Sequence, residues 1–246
     1  MTDGASTNGT VYSSTTTVKS SVSYGKGTQI LFAAGTMINA NMGLELGVNY
    51  LAGAKYTSNY IVTGSNGFKE TSEYVSSMLR LCPTLVMTTG KGNVKPYVKT
   101  GLVVGVSPKI KEAYTTVSDN GDNNRSRFES TGNVSLGFTN SLGIKVGLSN
   151  SLSFFGEFNI VTQAWSPKKR MITESTQNGV DGLPNLPNYY KETDYVSTVT
   201  TGNGFDSNVP RQSTKISYAF SSMGLNVGLH MSLGGKGDDR REKKKK

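Results

Sequence analysis

Between residues 133 and 148 the chain alternates apolar and polar side chains. Val134, Leu136, Phe138, Leu142, Ile144, Val146 and Leu148 share one parity; Asn133, Ser135, Gly137, Thr139, Ser141, Gly143, Lys145 and Gly147 share the other. Successive strand side chains point to opposite faces, so this segment predicts a strand with one greasy and one wet face. It is about three times as long as an ordinary strand of about 5–6 residues. The pattern recurs and predicts seven long strands, near 28–38, 42–57, 73–89, 94–115, 128–148, 152–166 and 213–233. Tight connections at 39–41, 90–93 and 149–151, rich in Asn, Ser and Gly, suit hairpin turns. The remaining connections are long and polar. Long antiparallel strands joined alternately by short turns and long loops, with one face apolar, are the pattern of a transmembrane β-barrel.

Composition sharpens this picture. Only 35% of the 246 residues are hydrophobic, below the roughly 45–50% apolar share of average domains, a figure that also counts Gly. A soluble fold of this length would want a larger core, whereas a barrel carries its apolar residues outside. The 29 glycines fall largely inside the alternating segments, where small inward residues suit a narrow interior. No run reaches the roughly 18–20 apolar residues of a membrane helix, and closed barrels cross membranes without one. The single cysteine, Cys82, excludes an intrachain disulfide framework and a multi-thiolate metal site. Of the formal net charge of +9, the tail 236–246 holds seven basic and three acidic residues, so no nucleic-acid surface is read.

The segments "NMGLELGVNYLAGAKY" at 41–56, "VKPYVKTGLVVGVSP" at 94–108, "LGIKVGLSNSLSFFGEFNI" at 142–160 and "GLNVGLHMSL" at 224–233 resemble the strands of the small outer-membrane β-barrel family, the OmpA-like eight-stranded barrels of Gram-negative bacteria. The resemblance implies an all-β, antiparallel, up-and-down barrel over 28–233, placed in the bacterial outer membrane. An N-terminal polar segment, 1–27, and a basic tail, 234–246, flank it. Seven strands are one short of eight. A strand preceding Met1 would complete the set, which makes the chain the remainder of a longer precursor; the alternative is that the Thr- and Ser-rich stretch 10–24 supplies a poor eighth strand.

Candidate chemistry follows from which parity each polar residue takes. Glu45, Arg80, Lys99, Lys145 and Glu157 all take the inward parity, and unpaired charge is costly there, so a structural salt-bridge network plugging the lumen is expected. Tyr50, Tyr56, Tyr114 and Phe128 lie near the long-loop ends with outward parity, the place of an interfacial aromatic girdle. His230 is the only histidine. Any Ser-His-Asp arrangement would have to use it, and its inward position near a short turn reads as structural. The acidic loop 118–126 lacks the spacing and terminal Glu of a calcium loop. No catalytic, metal or cofactor site is therefore expected. The partners expected are outer-membrane lipid and an extracellular ligand or surface partner on the long segment 172–212. The expected role is structural or surface-interactive. A narrow porin-like channel for small solutes is the alternative, and a soluble ligand-binding barrel the second.

Overall fold

A computed structural model describes residues 11–12, 22–63, 67–89, 92–199 and 206–233. Most of these residues are in strands: β1 (Val11–Tyr12), β2 (Gly27–Met37), β3 (Met42–Gly53), β4 (Tyr56–Val62), β5 (Phe68–Thr88), β6 (Val94–Ser118), β7 (Asn123–Gly132) and β8 (Ser135–Gly147). They continue as β9 (Leu152–Trp165), β10 (Pro167–Gln177), β11 (Val180–Asp181), β12 (Glu192–Val196), β13 (Arg211–Thr214), β14 (Tyr218–Ala219) and β15 (Ser222–Met231). A single helical turn, α1 (Asn188–Lys191), and a short 3-10 turn interrupt them.

The strands form one large, mostly antiparallel sheet in two tiers. In the lower tier the neighbours run β2, β3, β5, β6, β8, β9, β15. In the upper tier they run β4, β5, β6, β7, β10, β12. β5 and β6, of 21 and 25 residues, pass through both tiers. β6 is so long that β8 pairs its first half and β7 its second half along the same edge. The expected strand 128–148 therefore divides at Asn133 and Val134. Within the connections expected as loops over 58–72 and 116–127, residues 58–62, 68–72, 116–117 and 123–127 instead extend the sheet as paired strands. Their Thr, Ser, Asn and Tyr residues suit strands, yet show no apolar parity.

The tiers meet at a line of irregularities that exchanges the faces of β6 and of the strands after it, while β5 keeps one inward parity throughout. In β6 one extra residue enters between Val106 and Lys109 opposite Ser77 and Leu79. Ser107 takes the positive φ of 49° that this bulge requires. Below it Tyr97, Lys99 and Val103 face inward; above it Ile110, Glu112 and Tyr114 do. A one-residue slip moves every later side chain to the other face. β7 and β8 switch at their junction, and β10 switches at Lys168, where its register against β7 shifts.

The sheet curls until its inner faces meet. Trp165, Phe220, Leu51, Met78, Ile110, Tyr24 and Tyr218 pack together at the tier junction. The Trp165 and Phe220 rings lie edge-on, 5.9 Å apart, and Trp165 Nε1 donates to the Asn133 carbonyl at 2.8 Å. The sheet does not close. Among the described residues β2 pairs only β3, and β15 only β9. Seven strands, not a closed eight, stand in the lower tier. The two edges approach at their upper ends, where the Tyr24 backbone N–H donates to the Ala219 carbonyl at 2.8 Å and the Ser23 hydroxyl to that of Ser221. Of the N-terminal segment 1–27, residues 1–10 and 13–21 lie outside the described residues, as does the basic tail from 234 on.

Phe220 is fully buried, so Phe220→Ala should cost about 3–5 kcal/mol of unfolding free energy, the range for large buried aromatics. Denaturant titration should show this loss, and a much smaller one for Phe138→Ala, whose ring is exposed on the outer face.

Candidate functional site

Below the Trp165–Phe220 layer, the inner face of the lower tier encloses a polar chamber. Its strands carry small residues inward, including Gly47, Gly101, Gly105, Ser135, Thr139 and Ser141. Gly143 shows why: a side chain there would run into the Tyr97 ring, which hydrogen-bonds Glu157 across the interior. At the floor, Lys99 Nζ lies 2.8 Å from Glu45 Oε1 and 3.5 Å from Glu157 Oε2. Glu157 also accepts the Tyr97 hydroxyl at 2.9 Å and the Asn226 amide at 3.0 Å. Each carboxylate thus gains the partners that burial demands.

Arg80 is not in that group. It is completely buried at the roof of the chamber. Its Nε donates to Gln163 Oε1 and its Nη2 to the Phe220 carbonyl, both at 2.9 Å. Lys145 is half-buried opposite Lys95 on β6, and no ion pair to it is found among the described residues. Of the five inward charges expected to form one network, the fold brings three together and leaves Arg80 and Lys145 apart. His230 is half-buried near the short turns, and its Nδ1 has no hydrogen-bond partner. Cys82 is a free thiol on the chamber wall.

Above the hydrophobic layer lies a second interior cluster. Arg170 on β10 lies 2.7 Å from Glu112 Oε2 on β6, and its guanidinium covers the Phe128 ring at 3.6 Å. The Tyr114 hydroxyl donates to Glu112 Oε2 at 2.9 Å and lies 3.2 Å from that of Tyr74. Burial pushes the Tyr114 hydroxyl well above its ordinary 10.0, and the Glu112 carboxylate adds to the rise. Burial does the same to Tyr218, again with Glu112 as the next contributor.

The aromatic-girdle expectation is corrected here. Tyr50 stays outward and exposed. Tyr114 and Phe128 point inward onto Arg170 because the bulge at Ser107 and the junction of β7 and β8 invert their parity. Tyr56 packs its ring on inward Tyr74, with centroids 6.1 Å apart. The segment 172–212 contains more structure than a loop. Asn178 and Gly179, both at positive φ, make a two-residue turn from β10 into β11. An Asn-Gly pair is a hairpin signal readable in the sequence. Glu112 and Arg170 had no such signal, since their parity is inverted.

Among the described residues no three His, Cys, Asp or Glu side chains converge as a metal ion would need. In comparisons with known proteins, no family model, no curated protein and no solved structure matches the chain.

Removing one partner of the upper ion pair leaves a buried charge alone. Glu112→Ala should therefore cost about 3–5 kcal/mol, with Glu112→Leu/Arg170→Met recovering most of it in a double-mutant cycle. The raised Tyr114 hydroxyl keeps its proton in the folded chain where the unfolded chain has lost it. Its contribution is complete below pH 10.0 and falls as pH climbs above that value. Tyr114→Phe should flatten this alkaline loss in denaturant midpoints measured at rising pH.

Proposed function

We propose that the chain is an integral β-barrel protein of the bacterial outer membrane, of the small OmpA-like kind, with a structural and surface-interactive role and a plugged lumen. The observation that carries this reading is the inside-out outer face of the lower tier. Leu225, Met223, Phe32 and Leu136 are 81%, 76%, 74% and 72% exposed, while Arg80, Ser135, Gln163 and Glu157 are buried inside. Contiguous apolar surface of this extent mismatches water. Along β15 and the two residues after it, the outward run from Met223 to Leu233 spans the roughly 9–11 residues that a tilted strand needs to cross a bilayer.

The belt also has a sharp upper edge. Beyond the bulge line the outer face changes to ion pairs: Lys109 with Glu129 at 3.0 Å, Arg127 with Glu174 at 3.0 Å, and Lys55 with Glu73. This tier would stand outside the bilayer and present the segment 172–212 to extracellular partners. A soluble ligand-binding barrel would need the reverse distribution of faces. Against a narrow porin-like channel stands the Trp165–Phe220 layer across the interior. No described helix is long and apolar enough to cross a membrane, and barrels cross with strands.

A closed barrel needs a joint between β2 and β15. With seven antiparallel strands both edges run in the same direction, so an eighth strand of opposite direction fits between them. Tyr24 beside Ala219 and Ser23 beside Ser221 already stand in antiparallel order.

The full chain should partition into detergent micelles and migrate faster on unboiled than on boiled gels; monomeric solubility without detergent would overturn the reading. Val227→Arg, in the middle of the belt, should cost about 2–4 kcal/mol in bilayers, whereas Lys111→Ala above it should leave stability within about 0.5 kcal/mol. Planar bilayers should show no steady conductance.

A further inference from the structure

The apolar outer face of the lower tier ends differently at its two rims. At the lower rim the described residues 37–42, 88–89, 92–94, 148–152 and 231–233 are Asn, Ser, Thr, Gly and apolar residues, and none carries a charge. At the upper rim lysines collect on the outer face. Thr131 pairs Lys109 on one side and Lys169 on the other, so the three stand in one row. Lys168 is the extra residue where β10 shifts register, and it is exposed. Lys111 lies one outward position above Lys109 in β6. The irregularities that end the apolar belt therefore also crowd four lysines at its edge.

Carboxylates neutralise this cluster only in part. Glu129 lies 3.0 Å from Lys109 and 4.0 Å from Lys111, so one acid serves two lysines. Glu192 pairs with Lys169, and Asp194 stands opposite Lys169 on β12. Lys168 has no ion pair among the described residues. Nor do Lys26, just before β2, and Lys215, three residues above Tyr218, both exposed at the same rim. In each pair the carboxylate is the less exposed member, and exposed ion pairs are weak in water, so an incoming anion can share these lysines. Directly below the row, Val134 and Leu136 are 60% and 72% exposed. Val134 is three residues beyond Thr131, about 10 Å along a strand. One molecule with an anionic head and an apolar tail spans both surfaces.

We propose that the upper rim is a binding collar for the phosphate headgroups of anionic lipid, centred on Lys109, Lys168 and Lys169 around Thr131. The inference rests on the membrane reading above and adds the chemistry of the lipid to it. The phosphate sits among the three ammonium groups, and the acyl chains lie over Val134 and Leu136. Lysines at such a boundary lay their stems on the apolar surface and carry their charge out to the headgroups. Each lysine held near an anionic surface strengthens attachment about fivefold. The collar gives the leaflet beside the upper tier a preference for anionic lipid, and the uncharged lower rim gives the other leaflet none. A soluble polyanion is the competing occupant, and it would leave the exposed apolar surface beside the lysines without a use.

The test places the full chain in phosphatidylcholine vesicles with a trace of spin-labelled lipid and reads the fraction of label immobilised against the protein. Spin-labelled phosphatidic acid should be held about fivefold more strongly than spin-labelled phosphatidylcholine, and added salt should shrink the difference. Lys109→Gln/Lys168→Gln/Lys169→Gln should bring the two lipids close to parity, whereas Lys95→Gln, on the inner face, should leave the preference intact. Should the triple variant fail to fold, Lys168→Gln/Lys215→Gln removes two lysines that hold no ion pair and should lower the preference roughly twofold. Immobilised phosphatidylcholine with no preference for phosphatidic acid, or a preference that survives the triple variant, would overturn the collar alone. Displacement of the phosphatidic acid by inorganic phosphate or an oligonucleotide at constant ionic strength would overturn it in favour of a soluble anion. If neither lipid is immobilised, the membrane reading falls and the collar with it.

Discussion

The two-residue period of a strand governs this molecule, because it allows each strand only two kinds of surroundings and the chain exchanges them midway. Below Ser107 the parity that carries Leu, Val and Phe faces outward, and the parity that carries Gly, Ser and charge faces inward. Above it the ledger of faces is inverted, so that Glu112, Tyr114 and Phe128 enter the interior and Lys109 and Lys111 leave it. One inserted residue in β6, matched by the junction of β7 and β8 and a shift in β10, separates a tier with an apolar outer face from an ion-paired one. Without that shift the upper tier would bury Lys109 and Lys111 and expose Ile110.

The interior is then a stack of three chemically different layers. The floor is an ion cluster centred on Lys99, whose partners come from β3 and β9. The middle is a hydrophobic layer around Trp165 and Phe220, to which the segments flanking β2 and β15 both contribute. The top is the Glu112–Arg170 pair with its aromatic cover. Arg80 ties the first two layers together by donating to the Phe220 carbonyl from within the polar chamber. The hydrophobic layer also holds the two sheet edges near each other at their upper ends, through Tyr24 and Phe220, although the edges below remain unpaired. Closure in the absence of water depends on satisfying those edge groups, since open sheet edges do not persist in hydrocarbon.

Much of the lower tier was legible from alternation alone. Periodicity places the strands at 28–38, 42–57 and 152–166 within a few residues of β2, β3 and β9, because a half-apolar face leaves a strong mark on the sequence. The same signal fails in the upper tier, where β4, β7 and β12 present no apolar outer face and so carry no apolar parity. The site was legible in part. The inward charges Glu45, Lys99 and Glu157 could be named from parity, but not that Arg80 would stand apart from them, since a strand pattern gives facing and not height within the interior.

By itself the sequence determined the all-β character, the direction of each lower-tier side chain and the sign of each face, because these follow from local backbone geometry and residue polarity. Only the tertiary structure decided the inversion at Ser107, the inward turn of Tyr114 and Phe128, and the partnership of Glu112 with Arg170. Those depend on the register between strands distant in the chain, and a single extra residue changes register without altering any local preference.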